Sequence, residues 1–230
     1  MLYFRYLAKT VVPALCVLCC LSPRLEAGTI KGKITSKKTI PRKVAVRYPD
    51  KLSQQPQELE PIPAVVVIMG KVKGFPPTAA TASAPPEIQQ KDFKFQPSLL
   101  VVPVNTRVSF PNRDLEFHNV FSYSKTKRFD LGRYHKGESK SVLFDKPGID
   151  QIFCEIHEWM RAVIVVVENP FYAVADADGN YEIKDIPKGS YQLLVWKIDH
   201  KKAVHNVNIP AEGTVELNFT LPEKKKDEPE

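Results

Sequence analysis

A chain of 230 residues with a formal net charge of +7 is long enough for two small domains. Its basic excess gathers near Lys31–Lys43 and in Lys224–Lys226 with no interleaved aromatics, so it offers no nucleic-acid groove. It leaves an acidic partner, an anionic surface or a plain solvated exterior, and no segment beyond the N-terminal one is long and apolar enough to span a membrane.

Residues 1–27 read as a secretory signal, with Arg5 and Lys9 at the start, an apolar stretch from Val11 to Leu21 and Ala27 at the cleavage point. Pro13 and the short apolar length argue against a membrane anchor, the alternative reading of the same stretch. No small residue precedes Cys16, Cys19 or Cys20, which counts against a lipoprotein signal. Loss of residues 1–27 removes Arg5, Lys9, Arg24 and Glu26 and lowers the charge from +7 to +5. The expected location is periplasmic or otherwise exported.

Few later stretches show helical periodicity; most are short, β-branched or aromatic and bounded by turn residues, so the fold class is all-β. Residues 28–72 hold two strands: Thr29–Ile34, which alternates, and Ala64–Met69, an apolar run of the kind buried on both faces. Residues 73–87, rich in Pro, Ala, Thr and Ser, read as a linker. Residues 88–168 follow as a denser unit, with strand patterns through Phe93–Val101, Val108–Phe110, His118–Ser122, Ser141–Phe144, Ile149–Phe153 and Ala162–Val167. Pro111–Asp114 and Lys146–Gly148 read as turns, and Asp130 and Glu138 as solvated turn residues. Residues 169–222 bring turns at Asp176–Asn180 and Asp185–Ser190 between strands Tyr181–Ile183, Tyr191–Trp196, Val204–Ile209 and Thr214–Leu221. The charged residues 223–230 read as a disordered tail.

Chemistry concentrates in Cys154-Glu-Ile-His157-Glu-Trp-Met160. Loss of the signal leaves Cys154 as the single thiol of an exported chain, so it serves chemistry or packing and not an internal disulfide. Taken singly, Cys154 and Met160 read as core residues, His157 as a loop residue and His118 as a strand histidine. Together they form a soft set: a thiolate, two imidazoles and a thioether, which suits copper. Spacing of three lets Cys154, His157 and Met160 converge from one loop, while His118 comes from a separate strand. Zinc fits less well, because structural zinc sites use Cys and His only. His135, His200 and His205 stand apart and read as surface or structural histidines.

His118-Asn119-Val120-Phe121 followed by Cys154-x-x-His157-x-x-Met160 resembles the small blue copper proteins, the cupredoxins, over about residues 88–168. The tight loop is most similar to amicyanin, since plastocyanins have a longer gap before Met. The resemblance implies a Greek-key β-sandwich with one type 1 copper, His118, Cys154 and His157 as equatorial ligands and Met160 as the weak axial one. Asn119 would tie the His strand to the Cys loop. The chain departs from many cupredoxins in having Phe117 before His118 and Glu155-Ile156 inside the loop. Glu155 and Glu158 would bring an acidic rim that lowers the potential, with Trp159 as the apolar surface.

Asp178-Gly179-x-Tyr181-x-Ile183-x-Asp185-Ile186-Pro187-x-Gly189-x-Tyr191-x-Leu193 resembles the carboxypeptidase-regulatory-like, transthyretin-like β-sandwich. That family opens with a Gly-x-Ile strand, here Thr29–Ile34, so residues 28–72 and 170–221 are expected to fold together around an inserted copper unit. The function expected is one-electron transfer to and from redox protein partners docking near His157. A copper-delivery protein is the alternative, although the chain has neither Met-rich nor His-rich tracts. An enzyme would need further His ligands, usually His-x-His pairs, and the sequence has none.

Overall fold

The computed structural model describes residues 26–36, 59–77 and 85–224. Residues 1–25 of the signal and anchor readings lie outside them, while Ala27, the expected cleavage point, is the first residue of a strand and pairs with Pro187. Two strands come first, β1 (Ala27–Ser36) and β2 (Val65–Ile68). Nine follow: β3 (Gln89–Lys91), β4 (Lys94–Gln96), β5 (Leu99–Pro103), β6 (Thr106–Pro111), β7 (His118–Tyr123), β8 (Arg128–Tyr134), β9 (Ser139–Phe144), β10 (Gly148–Phe153) and β11 (Arg161–Val167). The last six are β12 (Tyr172–Val174), β13 (Asn180–Pro187), β14 (Gly189–Trp196), β15 (Ala203–Ile209), β16 (Thr214–Glu216) and β17 (Phe219–Leu221). All regular structure among the described residues is strand.

These strands stack in four layers. β1 pairs antiparallel with β13 and parallel with β16 and β17, forming the outermost sheet. The next sheet runs β12-β2-β14-β15. Ile30, Ile34, Val66, Ile68, Ile183, Leu193 and Val195 fill the core between them. The third sheet, β5-β11-β10-β7-β8, faces the β6-β9 pair and the β3-β4 hairpin over a second core containing Phe95, Phe110, Val120, Ile152 and Ile164. Thus β1 and β2 pair with strands that follow residue 170, and β3–β11 lie between them in sequence.

The two apolar runs explain how the layers join. On β2, Val66 and Ile68 enter the outer core while Val65 and Val67 point the other way. On β11, Ala162, Ile164 and Val166 enter the inner core, while Val163, Val165 and Val167 meet Val65 and Val67. A strand clad on both faces needs no polar alternation. That is why both segments are almost uninterrupted Val and Ile.

Two boundaries differ from the sequence reading. The linker is partly built into the fold: Phe75 packs on the outer core, its ring 5.2 Å from that of Phe171, and Glu87 bridges Ser109. The tail does not begin at Glu223, which bridges His200, while the Lys224 N–H donates to the Asp199 carbonyl at 3.0 Å. Residues 225–230 lie outside the described part. Asp130 is likewise no turn residue but part of β8.

One buried carboxylate gives the fold a pH dependence. Asp150 on β10 is fully buried; its Oδ1 accepts the Thr126 hydroxyl at 2.6 Å, and Oδ2 has no partner among the described residues. Burial pushes its pKa from 3.8 up to about 6, against the Thr126 hydrogen bond that favours the ionised form. Because the folded value is the raised one, the stability this group contributes is complete below about pH 4 and is lost as pH rises through about 6. Two pKa units correspond to about 3 kcal/mol. Asp150→Asn is therefore expected to raise the Tm at pH 7.5 by about 6–12 °C and to change it little at pH 4. Thermal melts at both values check this; an equal shift at each would exclude the titration.

Candidate metal centre

β7 starts at His118 because the segment before it is tied down. Asn112 is fully buried: its Oδ1 accepts the Asp114 N–H at 2.9 Å, and its Nδ2 donates to the carbonyls of Glu116 and Tyr134 at 2.9 and 3.0 Å. This Asx turn closes the β6–β7 connection and delivers His118 fully buried at the end of the third sheet. Pairing of β7 with β8 shifts register between Asn119 and Phe121, a bulge that re-aims side chains beside the site.

The second group arrives on the β10–β11 loop. Cys154 follows β10 directly, and the Met160 N–H donates to the His157 carbonyl at 2.9 Å, closing a turn just before β11. Asn119 connects the two halves. Its Oδ1 accepts the Glu155 N–H at 2.6 Å, and its Nδ2 donates to Asp130 Oδ1 at 3.1 Å.

At the meeting point, one ligand atom from each of His118, Cys154 and His157 lies within 4.8 Å of the others. The two Nδ1 atoms are 2.9 Å apart, and Cys154 Sγ is 3.8 Å from His157 Nδ1. Met160, 1% exposed, is buried in the same core as Cys154. Burial lowers the pKa of His118, opposed by the Asp114 carboxylate, and raises that of Cys154, opposed by the backbone N–H of Asn119. Both effects favour the neutral forms in a dry site.

The structure corrects the expected rim. His157 is only 2% exposed and does not present a ring edge to solvent. Phe93 stands edge-on to both imidazoles, 5.1 Å from His157 and 5.7 Å from His118 between ring centroids. Trp159 is not surface either: it is 7% exposed, its ring 5.0 Å from that of His157, and its indole N–H donates to the Phe93 carbonyl at 3.1 Å. The exposed apolar side chains at this end are Leu115 and Phe117. Glu155, half exposed, pairs with Arg133 at 3.3 Å, so part of its charge is answered.

Asp114 and Phe93 are the neighbours the sequence reading missed. Asp114 Oδ2 lies 2.9 Å from His118 Nε2. A carboxylate four residues before a ligand histidine is a weak signal without the turn that folds it back. His135 is exposed and pairs with Glu138 at 3.0 Å, His200 is buried with Nδ1 against the Ile198 carbonyl, and His205 lies on β15. None of the three joins the cluster.

Residues 158–230 match the family model of a CarboxypepD_reg-like domain. No curated protein matches the chain. Among solved structures the chain is similar to a Cu-containing nitrite reductase from Thermus scotoductus SA-01, at 28% identity over 43% of this chain with a TM-score of 0.35. That match spans only 28% of the nitrite reductase chain. It is also similar to a purple cupredoxin from Nitrosopumilus maritimus, at 22% identity over 35% of this chain and 98% of that one, TM-score 0.32. The reduced Cu(I) form of a proline-to-glycine variant of amicyanin matches at 23% identity over 44% of this chain and 97% of that one, TM-score 0.35. Both families named from the sequence, the cupredoxins and the carboxypeptidase-regulatory-like domain, are thus among what the chain is similar to.

Proposed function

We propose that this chain is an exported copper protein that carries single electrons through one mononuclear site. The observation behind the reading is the buried convergence of one ring nitrogen from each of two imidazoles and one thiol sulfur within 4.8 Å. This donor set fits copper: it is soft, holds no carboxylate, and shares its buried core with the thioether of Met160. His118, Cys154 and His157 would hold the ion, with Met160 as a weak fourth ligand. Bound there, copper would supply a one-electron Cu(II)/Cu(I) couple.

The chain's own part is to fix and dry the ligands. Asn119 ties the His118 strand to the Cys154 loop, and Phe93 and Trp159 shield the His157 ring. Ligands that cannot move keep the reorganisation accompanying electron transfer small. A redox protein partner would dock at this end of the inner sandwich, over Phe93, with Leu115 and Phe117 as the apolar contact. Among the described residues no helix is long and apolar enough to cross a membrane.

The test is a Cu(II) titration followed in the visible. An intense thiolate-to-copper band is expected to saturate at one equivalent, bleach with reductant and return on reoxidation. Binding without such a band, or a band that keeps growing past one equivalent, would overturn the reading.

A further inference from the structure

Asp114 makes more contacts at the site than any turn residue needs. Its Oδ1 accepts the Asp92 N–H at 2.7 Å, its Oδ2 accepts the Phe93 N–H at 2.9 Å, and that same Oδ2 lies 2.9 Å from His118 Nε2. Asp92 and Phe93 both have positive φ, 54° and 57°. For Phe this is a rarely used, costly conformation that surrounding structure must enforce. The enforcing group is the Asp114 carboxylate, and the outcome is the Phe93 ring set against both imidazoles.

The other contact decides a tautomer. An ionised carboxylate accepts hydrogen bonds only, so His118 Nε2 must carry the proton. In a neutral imidazole this leaves Nδ1, the atom facing His157 Nδ1 at 2.9 Å, unprotonated, an acceptor toward His157 until an ion takes its lone pair. The ring is thus held in its metal-ready form before any ion arrives.

Resting on the copper reading above, we propose that Asp114 is the positioning residue of this site. One carboxylate sets His118 with Nδ1 bare and aimed inward, and holds the Asp92–Phe93 turn shut over both imidazoles. Metal-ligating histidines are commonly steadied by an outer hydrogen-bond partner, whose loss costs about 10–100-fold in metal affinity. Here that partner also carries the cap. Copper uptake and solvent exclusion are therefore coupled through a single side chain.

Three variants of the full chain test this: Asp114→Asn, which keeps the shape, Asp114→Ala, and Glu116→Gln, which removes an exposed charge from the same segment. In the metal-free wild type, imidazole nitrogen NMR is expected to show His118 protonated at Nε2 alone. In Asp114→Asn a mixture of tautomers is expected, with Cu(II) affinity down about 10–100-fold and a raised reduction potential. Asp114→Ala is expected to let azide perturb the Cu(II) spectrum, while the wild type excludes it. Glu116→Gln, whose charge reaches His118 only through space, should keep the wild-type tautomer, Cu(II) affinity and azide exclusion.

A wild-type tautomer and wild-type copper affinity in Asp114→Asn would overturn the proposal. So would Glu116→Gln reproducing the Asp114→Asn effects, since local charge alone would then explain them. Should the wild type take up no copper, the copper reading fails by itself. The metal-free NMR arm still decides what Asp114 does to His118.

Discussion

Cys154→Ser is expected to abolish the intense visible band and to weaken Cu(II) binding by more than the about 10–100-fold that loss of an outer partner costs. A serine hydroxyl is neither soft nor readily ionised, so it cannot replace a thiolate as a copper ligand. The substitution also has a packing consequence. Cys154 is 3% exposed and sits in the inner core, where its sulfur accepts from the backbone N–H groups of Asn119, Ile156 and His157, so burying a more polar, shorter-reaching hydroxyl among them would cost about 1 kcal/mol. A melt of the metal-free variant separates that loss from the loss of colour. Met160→Leu is the informative contrast. It keeps side-chain volume in the core and removes only a weak donor, so the band is expected to survive with an altered potential. A Cys154→Ser protein that stays intensely coloured would remove the thiol from the site. Loss of colour in both variants, with metal-free melts unchanged, would make Met160 more than a weak ligand.

His118, Cys154 and His157 come together, with Met160 in the same buried core, and part of that is a local fact of spacing: Cys154, His157 and Met160 lie on one loop of seven residues. Their environment is not local. Asp114 becomes a partner of His118 only through the buried Asn112 turn, and Phe93 covers the imidazoles only because its backbone takes a left-handed conformation. No periodicity writes such a φ into a sequence. Trp159 was misplaced for a related reason. A large aromatic beside a polar loop reads as surface until a distant carbonyl, that of Phe93, takes its indole N–H. The all-β class was legible, as were β2 and β11, because the lack of alternation in a Val and Ile run is itself the mark of two buried faces. The tail was misread at its start. Glu223 and Lys224 look solvated, yet they are held by backbone pairing with the His200 turn, a contact that leaves no trace in composition.

Gly32→Ala is expected to cause the largest loss of stability and to show how far the two sandwiches fold as one. Gly32 lies where β1 changes partners, from β16 at Thr29–Lys31 to β17 at Ile34–Ser36. Leu217 crosses it there: its N–H donates to the Lys31 carbonyl at 2.9 Å, and its own carbonyl accepts the Tyr181 hydroxyl at 2.8 Å. A Cβ on Gly32 would stand 1.8 Å from the Leu217 carbonyl oxygen, so the backbone must move and those bonds with it. Overpacking of this kind costs about 3 kcal/mol, or about 6–12 °C in Tm for a chain of this length. How the loss is shared depends on the layer where Val65, Val67, Val163, Val165 and Val167 meet. If the outer sandwich melted alone, it would strip cover from one whole face of β11, an interior strand of the inner one that is apolar at every position after Arg161. An interface that dry and apolar favours a single cooperative unit over two loosely joined domains. The amides of Val163–Val166 are therefore expected to lose protection from hydrogen exchange together with those of Leu193–Val195 when Gly32 is replaced. Protection retained at Val163–Val166 while Leu193–Val195 exchanges freely would show that the inner sandwich stands on its own core, with the outer one as a separable appendage.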